Sequence, residues 1–109
     1  MLLALDVGNT QTVAGLFGDE GMVDHWRTTT IRTHTADELA LAISGLLGLR
    51  GRSLGDIDAL VLASGVPQLS VEYAAMSRAR LRRPALVVGP GVRTGVVLRV
   101  DNPHEVGAD

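Results

Sequence analysis

Leu2-Leu3-Ala4-Leu5 opens the chain as an unbroken apolar run that ends at Asp6, and the polarity changes at Gly8-Asn9-Thr10. Such a run predicts a strand covered on both faces. Gly8 and Asn9 tolerate positive φ and predict a turn, with a returning strand over residues 12–17. Gly18-Asp19-Glu20-Gly21 predicts a second turn. Residues 22–29, where polar and apolar positions interleave, then predict a third strand that completes an antiparallel meander.

The period next becomes helical. Thr35-Ala36-Asp37-Glu38 has the form of a capping box, in which the Thr35 hydroxyl takes the Glu38 amide proton and the Glu38 carboxylate reaches back. Ala36, Leu39, Ala40, Ile43, Leu46 and Leu47 follow at helical spacing. They predict an amphipathic helix over 36–49 that Gly51 caps and that Gly45 and Gly48 weaken. Residues 59–64 read as a second buried strand, broken by Gly65-Val66-Pro67 before a helix over 68–82 with Leu69, Tyr73 and Met76 as its core stripe. Residues 85–88 read as a third buried strand, 89–95 as a glycine-bounded loop, 96–100 as a short strand and 101–109 as a loop.

The order β-β-β-α-β-α-β, a meander feeding a mixed sheet flanked by helices, is an α/β layout. It resembles the ribonuclease H-like half of the actin, Hsp70 and sugar kinase group, whose members set two such halves around one nucleotide cleft. At 109 residues the chain makes one domain, or one lobe of something larger, and is short for an enzyme that encloses two substrates. Its hydrophobic fraction of 46% excludes a disordered chain. No apolar run approaches the roughly 20 residues of a membrane span. Without a basic leader or any cysteine, the sequence reads as cytoplasmic and offers no thiolate nucleophile and no cysteine metal site.

Net charge is -2, and all ten basic residues are arginines. Arg78, Arg80, Arg82 and Arg83 cluster before Pro84 and read as a solvated helix end favoured by the helix dipole, so nucleic acid is not an expected partner. Chemistry concentrates in two places. In Asp6-Val7-Gly8-Asn9-Thr10 a carboxylate suits the Mg²⁺ of a nucleotide triphosphate, Gly8 removes the side chain that would block close approach, and Asn9 and Thr10 offer donors to phosphate oxygens. In Gly107-Ala108-Asp109 an acid follows a flexible glycine and suits a general base. The remaining polar residues read more plainly. His25 and His34 lack partners at metal-ligand spacing, His104 reads as solvated, Asp56 and Asp58 as turn residues, and Arg93 either pairs with an anion or holds its loop.

Five blocks in register carry a resemblance that spans nearly the whole chain: Asp6-Val7-Gly8-Asn9-Thr10, Trp26-Arg27-Thr28, Thr35-Ala36-Asp37-Glu38, the glycine loop 89–95, and Asp101-Asn102-Pro103-His104-Glu105-Val106-Gly107-Ala108-Asp109. The sequence resembles the N-terminal part of type III pantothenate kinases, the bacterial enzymes that start coenzyme A synthesis. That resemblance implies ATP phosphates at Asp6, Gly8, Asn9 and Thr10, with Asp6 serving Mg²⁺. It implies Asp109 as the catalytic aspartate that activates the pantothenate hydroxyl, with Gly107 contacting pantothenate. Val100 stands where many members have a tyrosine near that substrate, and Gly65 where they have a small hydroxyl or a valine. A monovalent cation, K⁺ or NH₄⁺, and a homodimer with the active site at the subunit interface are also implied.

The family continues with an arginine after its aspartate and adds a second lobe with a second phosphate motif. Residues 1–109 are therefore expected to form an N-terminal ribonuclease H-like lobe that does not turn over alone and that dimerises, swaps segments or aggregates through exposed apolar surface. The alternative is a non-catalytic regulatory relative acting by protein association, against which the presence of both Asp6 and Asp109 argues. A cytoskeletal or chaperone-type module is disfavoured because residues 102–109 have no role in one.

Overall fold

The segments expected as strands and helices appear in the expected order in a computed structural model that describes residues 1–88. Strand β1 (Leu2–Val7) pairs antiparallel with β2 (Gln11–Gly18), which pairs antiparallel with β3 (Gly21–Thr29). Helix α1 (Ala36–Gly48) and a single 3₁₀ turn at Leu54–Asp56 lead to β4 (Ala59–Ser64), and helix α2 (Pro67–Met76) leads to β5 (Leu86–Val88). Strand β4 lies parallel to β1 and β5 parallel to β4, so the sheet order is β3-β2-β1-β4-β5. Central β1 is hydrogen-bonded on both sides, which suits the most continuously apolar segment of the chain. The strand expected over 96–100 and the loops over 89–95 and 101–109 lie outside the described residues.

Strand alternation sends Leu3, Leu5 and Val7 of β1 to one face, beside Ala14 and Leu16 of β2 and Leu60 and Leu62 of β4. Leu39, Ile43 and Leu47 of α1 and Leu69, Tyr73 and Met76 of α2 close over this face, and all are buried. Burying each such side chain stabilises by roughly 1.5–3 kcal/mol, so the helix-covered face supplies most of the folding drive. On the opposite face of β1, Ala4 is buried, whereas Leu2 and Asp6 are only half-buried. No helix among the described residues is long and apolar enough to cross a membrane.

The ends of α1 are built as the sequence implies. The Glu38 N–H donates to the Thr35 hydroxyl at 3.2 Å, and the Thr35 N–H donates to Glu38 Oε1 at 2.9 Å. The backbone hydrogen bond from Thr35, then that residue's hydroxyl, hold the Glu38 carboxyl below its ordinary pKa. Ala36 N–H donates to Glu72 Oε1 at 2.9 Å, so α2 also caps α1. At the other end the Arg52 N–H bonds Leu47 O at 2.9 Å and the Gly51 N–H bonds Gly48 O at 3.1 Å, with Gly51 at φ +70°. These are the two bonds of a Schellman cap, and they need the left-handed residue that glycine supplies.

Three expectations are corrected. The strand over 85–88, expected to be buried, is β5, with Leu86 and Val87 exposed. The α-helix expected over 68–82 stops at Met76 and widens into a π-helical turn, Ser77–Leu81. Ser77 is completely buried there, and its hydroxyl donates to Arg83 O at 2.7 Å. That bond satisfies a buried hydroxyl and turns the chain toward β5, with Arg82 taking a left-handed conformation at φ +59°. The turn at Gly8 and Asn9 uses no positive φ, since among the described residues only Gly21, Gly51 and Arg82 adopt one.

Replacing Thr35 by Ala should cost about 1 kcal/mol in urea denaturation. A lowered carboxyl pKa contributes stability above its unfolded value and loses it as pH falls through the folded one. The gap between wild type and Thr35→Ala should therefore narrow on acidification below the ordinary glutamate range. Arg82→Gly should raise stability by about 1 kcal/mol, because glycine removes the Cβ strain of the left-handed position. A lower melting temperature for that variant would refute this reading of the turn.

Candidate functional site

Asp6 is the last residue but one of β1, and its neighbours Leu5 and Val7 face the helices, so its carboxylate stands on the opposite face of the sheet. It lies across from Val13 on β2 and Ala63 on β4. Ala63 is small and leaves room beside the carboxylate. The hydrogen bonds and ion pairs formed among the described residues leave the Asp6 side chain uncommitted. A half-buried carboxylate without a partner among the described residues, at the carboxyl end of a central strand, is placed to meet a cation or donor groups from a ligand.

Beyond it the chain turns tightly. The Gly8 N–H donates to Gln11 O at 2.9 Å, leaving Asn9 and Thr10 as the exposed hairpin tip. A Cβ on Gly8 would sit 3.0 Å from Gln11 O, so close backbone approach, rather than an unusual φ, is what favours glycine there. The tip is held from one side by β3, where the Thr30 N–H donates to Thr10 O at 2.8 Å and the Thr12 and Thr30 hydroxyls bond at 2.8 Å. It is held from the other by the β4–α2 turn, where the Gly65 N–H donates to Val7 O at 2.9 Å. The Val66 N–H donates to Ser64 Oγ at 3.0 Å, and that hydroxyl donates in turn to Val66 O at 3.0 Å, fixing the turn.

Asp6, Gly8, Asn9 and Thr10 thus come together on a braced hairpin. Asp109, Gly107 and Val100 lie outside the described residues. Asp6 also has polar neighbours to which the sequence motifs assign no role. Arg27 is opposite Val13, in the same row as Asp6, and Thr29 is opposite Gln11 one step nearer the tip. The signal for them is register, because Trp26 packs against the core and sends Arg27 to the Asp6 face. No group of three or more histidine, aspartate or glutamate side chains able to hold a metal ion occurs among the described residues, so Asp6 offers a single carboxylate.

Two cavities formed by the described residues lie elsewhere. A cleft of about 990 Å³ sits at the opposite end of β1, lined by Met1, Phe17, Asp19, Glu20, Arg52 and Asp58 among others. Its three carboxylates face two cations, the Met1 ammonium and the Arg52 guanidinium. Asp58 there is held below its ordinary pKa by the hydrogen bond and charge of the Met1 ammonium. A smaller cavity of about 270 Å³ between the meander and the helices is bordered by Thr12, His34, Ile43 and Tyr73, and burial pushes the Tyr73 hydroxyl up to about 12, so it stays neutral.

A family model described as type III pantothenate kinase matches residues 2–109. Curated relatives described in the same words are 48% identical over 114 residues in Streptomyces avermitilis, 50% over 110 in Acidothermus cellulolyticus and 41% over 109 in Halalkalibacterium halodurans. Each alignment covers all of this chain and 43% of the relative, so the chain spans less than half of their length. A solved structure described as an N-acetylglucosamine kinase from Porphyromonas gingivalis superposes with a TM-score of 0.56 at 18% identity, over 80% of this chain and 32% of that one. That likeness is one of fold, and it agrees with the ribonuclease H-like, sugar-kinase layout expected from the element order.

Gly8→Ala should destabilise the chain by about 1–3 kcal/mol, because the new methyl group crowds a backbone carbonyl that two strands hold in place. The urea midpoint should fall with an unchanged m-value. An unchanged midpoint would mean that the hairpin yields freely.

Proposed function

The chain belongs to the type III pantothenate kinase family, and from that premise we propose that it is the phosphate-binding lobe of an ATP-dependent kinase that phosphorylates pantothenate to 4'-phosphopantothenate. One observation carries this reading: the Asp6 carboxylate, uncommitted among the described residues, stands beside a hairpin tight enough that a Cβ at position 8 would crowd the Gln11 carbonyl. An open carboxylate and exposed donors at Asn9 and Thr10 are the parts a metal-bound triphosphate needs. These residues fit Mg²⁺·ATP, with Asp6 holding the metal directly or through water. Bound there, the metal neutralises phosphate charge.

In the transfer step the pantothenate hydroxyl oxygen bonds to the γ-phosphorus as the bond to the β,γ-bridging oxygen breaks. The hydroxyl proton passes to Asp109 as general base, and ADP leaves. The backbone at Gly8 lets phosphate oxygens approach closely, while Asn9 and Thr10 donate to them. Gly107 and Val100 border pantothenate. We assign the complete activity to a cytoplasmic homodimer that uses a monovalent cation, K⁺ or NH₄⁺, and treat residues 1–109 as the first lobe, inactive without a second one.

A chimera tests this. Residues 1–109 joined to the remaining portion of the Streptomyces avermitilis relative should convert ATP and pantothenate to 4'-phosphopantothenate, detected by mass spectrometry. Asp6→Ala should lower the rate by at least about 100-fold without unfolding the chimera. A folded chimera without product, or an Asp6→Ala variant of full activity, would contradict the assignment.

A further inference from the structure

One row of residues crosses the whole sheet: Arg27 on β3, Val13 on β2, Asp6 on β1, Ala63 on β4 and Val88 on β5. Residues directly opposite one another project to the same face. Trp26 fixes which face this is, because its packing against the core leaves Arg27 on the other side with Asp6. Two inter-strand spacings, about 10 Å, separate the backbones of Arg27 and Asp6. That is too far for a direct ion pair, and none joins them among the described residues. The side chain between them, Val13, is short and apolar and competes for neither charge.

Arg27 is exposed and takes part in no hydrogen bond or ion pair formed among the described residues. Its situation differs from that of Arg80, whose guanidinium is held by Asp37 at 3.1 Å. An anion seated above Val13 meets repulsion from Asp6 on one side unless a cation intervenes. On the other side it meets the guanidinium. Gln11 and Thr29, both exposed and paired one row nearer the hairpin tip, continue the same polar border.

We propose that Arg27 is a phosphate-binding residue, gripping non-esterified oxygens of the nucleotide's polyphosphate from the β3 side while Asp6 serves the metal on the β1 side. The proposal rests on the nucleotide reading of the Asp6 hairpin and adds to it a cation supplied by the strand at the sheet's edge. The planar fork of arginine suits two oxygens of one phosphate, which a lysine ammonium cannot match. Discrimination follows from span: a polyphosphate has the length to meet both a metal at Asp6 and Arg27 across about 10 Å, which a single phosphate group lacks.

The test is an NMR titration of the 109-residue chain with Mg²⁺·ATP, Mg²⁺·tripolyphosphate and AMP, following the amides of Gly8, Asn9 and Thr10. Arg27→Gln should weaken both polyphosphates about tenfold, Arg27→Lys should weaken them about threefold, and AMP should bind all three proteins equally. If Arg27→Gln binds Mg²⁺·ATP as wild type does while Asp6→Asn loses it, the Arg27 assignment is wrong and the nucleotide reading stands. If wild type shows no shift at these amides with any polyphosphate, both are overturned. An equal loss of AMP binding in Arg27→Gln would show a general effect on the hairpin and would also overturn the proposal.

Discussion

A slip of one residue in the pairing of β1 would turn Asp6 into the helix-covered core and push Leu5 and Val7 out of it. The apolar cost of exposing those two side chains and the cost of burying a carboxylate act in the same direction. Register is therefore held by the residues that make the core, and the Asp6 carboxylate is positioned as a consequence. The parallel pairing with β4 repeats the constraint from the other side, since Leu60 and Leu62 share the core face while Ala63 stands beside Asp6. Fold and site are two faces of one strand.

The same strand separates two ends of opposite character. At its carboxyl end a glycine-tight hairpin, a braced β4–α2 turn and Arg27 surround a single carboxylate. At its amino end Asp19, Glu20 and Asp58 gather around the larger cleft, with the Met1 ammonium and Arg52 as counter-charges. Cavity size favours the second end and chemistry the first. Three carboxylates against two cations leave the cleft close in net charge to the Asp6 end, so the two ends differ mainly in that Asp58 is already paired with the Met1 ammonium whereas Asp6 has no partner among the described residues. The chain belongs to the type III pantothenate kinase family and spans 43% of the length of the relatives it matches.

Much of this was legible in the residues themselves. The meander, the Thr35 capping box, the Gly51 cap and the core stripe of α2 follow from local periodicity and side-chain chemistry, and those signals do not depend on distant contacts. Tertiary effects account for what was missed. The π-helical turn exists because Ser77 is buried and bonds to Arg83 O, a contact that no spacing rule anticipates. Gly8 is favoured by the nearness of Gln11 O rather than by its φ, which emerges only once the hairpin closes. Arg27 becomes a neighbour of Asp6 only when the register of three strands is known, although the Trp26-Arg27 alternation already separates their faces. The residues expected to act on pantothenate, Asp109, Gly107 and Val100, lie beyond the described part of the chain and rest on the family resemblance.

The most direct measurement uses Mn²⁺ in place of Mg²⁺ as a paramagnetic probe, added with ATP to the isotopically labelled chain. Broadening of amide signals reports which end of β1 holds the metal-bound triphosphate. The account predicts broadening centred on residues 6–10, spreading to 63–65 and Arg27, and abolished by Asp6→Asn. Broadening centred instead on Asp19, Glu20 and Asp58 would contradict it and would move the site to the acidic cleft.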